Sequence, residues 1–310
     1  MIKIFKPKQL KSIILLAAGF ALFPTFTLAA VLYLEPSQGE YQPGDNFIIN
    51  VRIDTEGECI NTVEANLSFP KDILRVADFS QGKSIITLWV KPPEINQEEG
   101  LVSFSGGIPG GYCGIIPGDP ETTNLLGKII FRVPGMIVGG APEALIKIEI
   151  LETSQVFLND GLGTLAKLTT QGAAFEIVPT RAEPLEEDWY QEIEEDTTPP
   201  ELFEIEIHQE SAIFEGKYFI TFFTTDKQTG LDYYEIKEGD NDWKRATSPY
   251  LLADQSLQSI IKVKAVDKAG NERVAEYLPA KRVFPYWIII LILLSVGVGY
   301  WFYRKFKNRA

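Results

Sequence analysis

Few side chains in this sequence are equipped for chemistry. Those that could form a covalent link, hold a metal or carry a proton are Cys59, Cys113, His208 and the pair Asn159-Asp160, in a chain with 42 acidic and 29 basic residues. The two cysteines lie in a stretch read below as exported, where a pair is a disulfide more often than a metal site. Two free buried thiols are the alternative. Closing so long a loop would contribute about 4 kcal/mol on chain-entropy grounds. A zinc site would need further ligands, and the one histidine, His208, is far away in sequence.

A Ser-His-Asp triad would have to recruit His208, yet no G-x-S-x-G turn accompanies it, so His208 reads as structural or solvated. His-Glu-x-x-His, P-loop and dinucleotide fingerprints are missing too. Glycoside hydrolysis asks only for two carboxylates, which so acidic a chain offers anywhere, and it stays as a minor alternative. Asn159-Asp160-Gly161 offers two side-chain oxygens to calcium. It is also good turn chemistry by itself, and it lacks further carboxylates at fixed offsets. These residues describe a protein that is not an enzyme and has no cofactor or metal.

The elements that position them are framed by two apolar segments. Phe284 to Tyr303 holds 20 residues without a charge, about 30 Å as a helix, which matches the hydrocarbon layer of a bilayer. Tyr286, Trp287, Tyr300, Trp301 and Tyr303 cluster at its ends, and Arg304, Lys305, Lys307 and Arg309 follow. A buried core helix is the bland alternative. At the other end, Lys3, Lys6, Lys8 and Lys11 precede an apolar run from Ile13 to Phe23, Pro24, and the small-x-small pattern Thr27-Leu28-Ala29. This predicts a signal peptide over 1–29, with an uncleaved first transmembrane helix as its rival. Both ends favour the cytoplasm. The expected layout is a single-pass protein of the cell membrane, its ectodomain extracellular, its span at 284–303 and its basic tail at 304–310.

The whole chain carries a formal charge of −13. Most of its clustered positive charge lies in those two end segments, so the middle is more acidic still. Such a surface repels phosphate and anionic headgroups, which excludes nucleic acid as a partner and leaves basic or neutral ones, sugars included.

Residues 30–180 alternate with period two. Phe47, Ile49, Val51 and Ile53 share one face, and Val63, Ala65, Leu67 and Phe69 repeat the pattern with Glu64, Asn66 and Ser68 outward. Ile129, Phe131 and Val133, then Ile146, Ile148 and Ile150, then Phe175 and Ile177 continue it. Glycine and proline clusters at Gln42-Pro43-Gly44-Asp45, Pro92-Pro93, Gly106 to Gly118 and Gly139-Gly140 punctuate the runs. Short strands with frequent turn signals predict an all-β fold, an antiparallel β-sandwich.

In order along this region come Tyr41-Gln42-Pro43-Gly44-Asp45, Asp54 to Asn61, Val63 to Val76, Gly100-Leu101-Val102-Ser103-Phe104-Ser105-Gly106-Gly107 and Gly127 to Phe131. The succession resembles a cohesin-type domain of the carbohydrate-binding-like sandwich group, over roughly residues 31–178. The resemblance implies a nine-stranded jelly roll that binds a partner and has no catalytic centre. Cohesins grip dockerin modules through one sheet face. On this register Glu64, flanked by Thr62 and Asn66, falls where that face would be, or on the solvated side of an ordinary strand. Tyr112 and Trp89 could offer flat surfaces to a sugar or peptide, or Trp89 could pack on the sandwich. The glycine-rich run with Cys113 departs from the family pattern. Relatives that bind carbohydrate keep the fold and change the face, so fold alone does not choose the ligand.

Residues 181–199 form an acidic, proline-bracketed stretch read as a solvated spacer, with Trp189 and Tyr190 able to dock on a neighbour. Residues 200–280 return to strands. Asp226 to Glu235, Trp243, Ser248-Pro249-Tyr250 and Val263 to Glu272 resemble an immunoglobulin-like or fibronectin III-like surface domain, in which Asp267, Gly270 and Asn271 make a tight turn. The expected whole is a membrane-anchored surface protein with two β-sandwiches. The first binds a dockerin-like module or a polysaccharide, and the second serves as a stalk. A structural coat protein without a discrete ligand is the alternative.

Overall fold

The structure, a computed structural model, describes residues 29–114, 123–135, 144–179, 188–279 and 286–307. The chain divides into two compact units. One takes in Met1–Phe203, Phe223–Tyr234 and Lys264–Val274, and the other Glu204–Phe222, Glu235–Val263 and Ala275–Ala310. Residues 223–234 and 264–274, read from the sequence as part of a separate domain at 200–280, thus belong to the first unit.

Twelve strands of the first unit precede its helix: β1 (Ala30–Glu35), β2 (Gln38–Tyr41), β3 (Asn46–Asp54), β4 (Ile60–Ser68), β5 (Arg75–Ser80) and β6 (Leu88–Asn96), then β7 (Leu101–Tyr112), β8 (Leu125–Arg132), β9 (Ala144–Ile150), β10 (Gln155–Leu158), β11 (Leu168–Gln171) and β12 (Ala173–Ile177). They form two sheets. One has the order β11-β1-β3-β8-β5. The other has the order β2-β12-β9-β4-β7-β6, with β10 also paired to β4. The nine strands implied by the resemblance become twelve among the described residues; the short β2 and β11 lie at sheet edges, and the short β10 pairs with β4. β2 and β11 run parallel to their partners β12 and β1.

The core lies between the sheets and is made by the alternation that the sequence displays. Ile49, Val51 and Ile53 of β3, Val63, Ala65 and Leu67 of β4, Ile129 and Phe131 of β8, and Ile146 and Ile148 of β9 are buried together. Phe47 stacks on Tyr41 with ring centres 3.8 Å apart. Each fully buried aliphatic side chain contributes about 2 kcal/mol of transfer free energy, so this cluster is the main source of stability.

The described part of the acidic stretch, residues 188–199, is not the solvated spacer expected. Its residues Asp188–Glu195 form helix α1, which lies against β3. Trp189 and Ile193, one turn apart, give the short helix an apolar side. Trp189 is buried, Tyr190 is exposed, and Glu192 pairs with Lys128 of β8. The eight acids obscured that side in the sequence. Because α1 covers the sheet, β8 is buried along nearly its whole length, Lys128 included.

The remaining strands are β13 (Ile205–Gln209), β14 (Tyr218–Phe222), β15 (Leu231–Glu238), β16 (Lys244–Ala246), β17 (Tyr250–Leu251), β18 (Ile261–Asp267) and β19 (Glu272–Tyr277). β13, β14 and β17 make a three-stranded antiparallel sheet in the second unit. β16, β15, β18 and β19 make a four-stranded one. His208 sits in β13, beside Thr221 at 2.9 Å and over the ring of Phe219, a structural position.

A last helix, α2, runs Tyr286–Lys307. Among the described residues no helix is long and apolar enough to cross a membrane. The anchor expected at 284–303 includes residues and side chains outside the described set. The signal segment expected at 1–29 lies almost wholly outside it, as do residues 181–187 of the spacer and the end of the basic tail.

Candidate functional site

Strand β4 turns Val63, Ala65 and Leu67 into the core, so Thr62, Glu64, Asn66 and Ser68 point the other way. Residues directly opposite in an antiparallel pair share a face, and the register therefore extends this side across four strands. Thr62 lies between Phe157 of β10 and Gly107 of β7, and Leu88 of β6 lies beyond Gly107. Glu64 lies between Gln155 and Ser105, with Lys91 beyond. Asn66 is opposite Ser103 and then Glu94, and Ser68 is opposite Leu101 and then Asn96.

The face has two characters. The row through Thr62 is flat and mostly apolar, with glycine at its centre and Leu88 47% exposed. The rows through Asn66 and Ser68 enclose a groove of about 390 Å³ lined by Asn66, Lys91, Glu94, Asn96, Ser103 and Thr153, among others. Lys91 Nζ donates to Ser103 Oγ at 3.0 Å and pairs with Glu94 at 3.2 Å. Asn66 Nδ2 donates to the Thr153 carbonyl at 3.2 Å, and the Asn66 amide donates to Ser154 Oγ. These bonds fix the turn between β9 and β10 against the groove. The groove offers pre-positioned donors and acceptors to a partner.

Of the five residues expected on this face, the structure brings Thr62, Glu64 and Asn66 together and turns the other two away. Trp89 is opposite Gly106, on the inward side of β7, and packs edge-on to Phe79 at 6.1 Å and against Phe104 at 5.7 Å. The register shift between Trp89 and Lys91 skips Val90, which is 70% exposed. Tyr112 is 2% exposed and donates its hydroxyl to the Gly114 carbonyl. Burial pushes its phenol pKa up, with Asp54 and Tyr33 adding to the shift. Neither ring lies on the side of the sheet that carries Thr62, Glu64 and Asn66. The sequence shows both as aromatic residues beside glycines but carries no sign of which side of the sheet each takes. Lys91 and Glu94 were missed because their placement beside Ser105 and Ser103 depends on two shifts in the β6–β7 register, and Ser103 because its pairing with Asn66 joins strands far apart in sequence.

Cys59 and Cys113 are joined in a disulfide across 54 residues, next to the Ile60–Tyr112 pair. At Asn159-Asp160-Gly161 the Asp160 carboxylate closes the turn, and the Asn159 amide ties it to β7. Asn159 Nδ2 donates to the Gly110 carbonyl, Asp160 Oδ1 accepts from the Leu162 amide, and Gly161 has φ +72°. Bonds from Thr164 and Leu162 hold the Asp160 carboxyl below the usual range.

A different group of carboxylates meets where the sequence reading expected no metal. Asp196, Asp226 and Asp267 are all buried, with one oxygen of each within 4.8 Å of the others. Asp226 Oδ1 accepts from the amides of Gln228, Thr229 and Gly230. Asp196 Oδ2 accepts from the amide and hydroxyl of Thr229, and Asp267 accepts from the amide and side chain of Asn271. Burial raises the pKa of both Asp226 and Asp267, and the neighbouring carboxylates add to it. Hard oxygens so spaced have the geometry to hold a cation. The sequence does hold a signal. Each aspartate opens a turn, in Asp196-Thr-Thr-Pro-Pro, Asp226-Lys-Gln-Thr-Gly and Asp267-Lys-Ala-Gly-Asn, but nothing in it says that the three turns converge.

No family model and no curated protein matches the chain. Among solved structures, it is similar to a type I cohesin–dockerin complex from Clostridium thermocellum at 16% identity, with a TM-score of 0.39 over 48% of this chain and 94% of that one. It is similar to a cohesin from Clostridium acetobutylicum in solution, at 12% identity and TM-score 0.37 over 50% of this chain and 94% of that one. The cohesin module of a family 33 glycoside hydrolase from Clostridium perfringens gives 12% identity and TM-score 0.34, over 49% and 97%.

Proposed function

We propose that this protein is a membrane-anchored surface receptor whose cohesin-like sandwich binds a dockerin-type protein module through the outward side of β10, β4, β7 and β6. The observation that carries the reading is the two-part face: an apolar row through Thr62 and Gly107 beside a groove whose polar groups are already held in place. Such a surface suits a folded protein partner, which can bury side chains against the flat row and hydrogen-bond into the groove. The inward packing of Trp89 and Tyr112 keeps both rings off this face, which favours a protein partner over a polysaccharide stacked on aromatic side chains there. The sequence resemblance over residues 31–178 supports the class of partner. The uncharged segment 284–303 and its basic flank support a C-terminal anchor with the sandwich outside the cell. The strands of 200–280 act as the stalk, in an immunoglobulin-like or fibronectin III-like arrangement.

The full-length protein in lipid nanodiscs, titrated with exported proteins of the same cell that carry duplicated calcium loops, tests this directly. Saturable binding is expected, weakened at least tenfold by Glu64→Ala with Asn66→Ala. Binding left unchanged by that pair of substitutions, or found for a polysaccharide and no protein, would overturn it.

A further inference from the structure

The acidic stretch between the two expected domains is ordered by contacts that a spacer does not need. Glu192 of α1 pairs with buried Lys128 of β8, and Trp189 of the same helix is buried. Just beyond α1, Asp196 is hydrogen-bonded to Thr229, and the Asp196 carbonyl accepts from Asn271 Nδ2. Residues 226–230 then interlock with the turn after β5. Ser80 Oγ, fully buried, donates to the Thr229 carbonyl at 2.6 Å, and the Lys83 amide donates to the Lys227 carbonyl at 3.0 Å. Lys268 Nζ donates to Asp78 of β5 at 2.6 Å. The backbones meet at two glycines. A Cβ on Gly82 would fall 2.0 Å from the Gln228 carbonyl oxygen, and a Cβ on Gly230 2.7 Å from the Gly82 amide nitrogen. Neither position has room for a side chain.

We infer that α1 and the turns at 226–230 and 267–271 form a latch that folds with the sandwich of residues 30–178 as one cooperative unit, so that the partner-binding module is not a separable domain. Three features of the latch argue for cooperativity. Lys128, Ser80 and Asp196 are buried, so opening any one connection alone would strand a polar group that has lost its partner. The contacts span three distant segments of sequence, so none is a local turn that could persist by itself. The two glycines allow backbone-to-backbone approach, which leaves no slack for partial opening. Unlike a flexible tether, such a latch gives its loops the protection of the core strands.

Hydrogen exchange of the full-length protein in nanodiscs, read by mass spectrometry, tests this. Amides of 188–196, 226–230 and 267–271 are expected to exchange with the same opening constant as those of β5 and β8. In Gly82→Ala all of these segments should speed up together, by at least tenfold. Glu192→Gln, a milder change that removes only the ion pair, should give the same joint acceleration to a smaller extent. Latch segments that exchange freely in the unaltered protein, or that accelerate in either variant while β8 keeps its protection, would overturn the inference. Neither outcome depends on a partner, so failure here is distinct from failure of the binding proposal.

Discussion

Lys128 of β8 and Glu192 of α1 form an ion pair in which the lysine side chain is only 6% exposed. Burial pulls the lysine pKa below its ordinary value, and the bond to Glu192 opposes that pull. Removing the carboxylate would leave a buried ammonium without its partner. Because Glu192 is itself 30% exposed, water recovers part of the loss, and Glu192→Ala is expected to destabilise by about 2 kcal/mol. The urea unfolding midpoint measures it. The double variant Lys128→Met with Glu192→Ala should recover much of the difference, since no charge is then buried.

Gly106 and Gly107 are neighbours on β7 but face opposite sides, and their substitutions should part accordingly. A Cβ on Gly106 would sit 2.2 Å from Ile86 Cγ2, whereas one on Gly107 meets nothing nearer than 3.8 Å. Gly106→Ala is therefore expected to cost about 1–3 kcal/mol by overpacking. Gly107→Ala should leave the unfolding midpoint nearly unchanged while altering the flat row that the partner would touch.

The aromatic residues separate stability from recognition. Trp89→Ala removes a ring packed on Phe79 and Phe104 and is expected to cost about 2–3 kcal/mol, short of a fully buried tryptophan because Trp89 is half-buried. Lys91→Ala should barely move stability but should weaken partner binding, because Lys91 lines the groove. Parallel melting curves and binding titrations of the two variants would show opposite patterns.

The aspartate cluster gives the protein a pH signature. Asp226 and Asp267 have folded-state pKa values raised above those of the unfolded chain. Above the raised values the folded state carries the full penalty of burying these charges. The penalty fades as the pH falls through the raised values and is gone below the unfolded value of about 3.9. Their contribution therefore makes the protein more stable on mild acidification in the presence of a chelator. Asp226→Asn, which keeps an oxygen for the three backbone donors, should raise stability at pH 7 and flatten this dependence. Denaturant midpoints between pH 7 and pH 4 would show it.

The disulfide supplies a fifth test. The Cys59–Cys113 bond closes a loop of 54 residues, and Cys59→Ser with Cys113→Ser is expected to lower stability by about 4 kcal/mol. The strand register beyond Ile60 and Tyr112 should survive, because the core of β4 and β7 lies below the staple. Amide exchange in those strands measures it.

Composition and alternation were enough to determine the class of fold, the buried positions of β3, β4, β8, β9 and β12, and the outward line of Thr62, Glu64 and Asn66. The reason is that period-two burial is a local property, written into each strand by the choice of apolar residue. What faces that line, whether Trp89 and Tyr112 point in or out, and where the acidic stretch goes were not local. The pairing of Asn66 with Ser103 follows from the register of β4 on β7, and the placement of Lys91 and Glu94 from shifts between β6 and β7. The burial of Trp189 follows from a sheet surface that its own segment does not encode. The convergence of Asp196, Asp226 and Asp267 follows from three turns separated by tens of residues. Only the folded chain brings such pairs within reach, because their contact energies depend on distances that no stretch of sequence carries by itself.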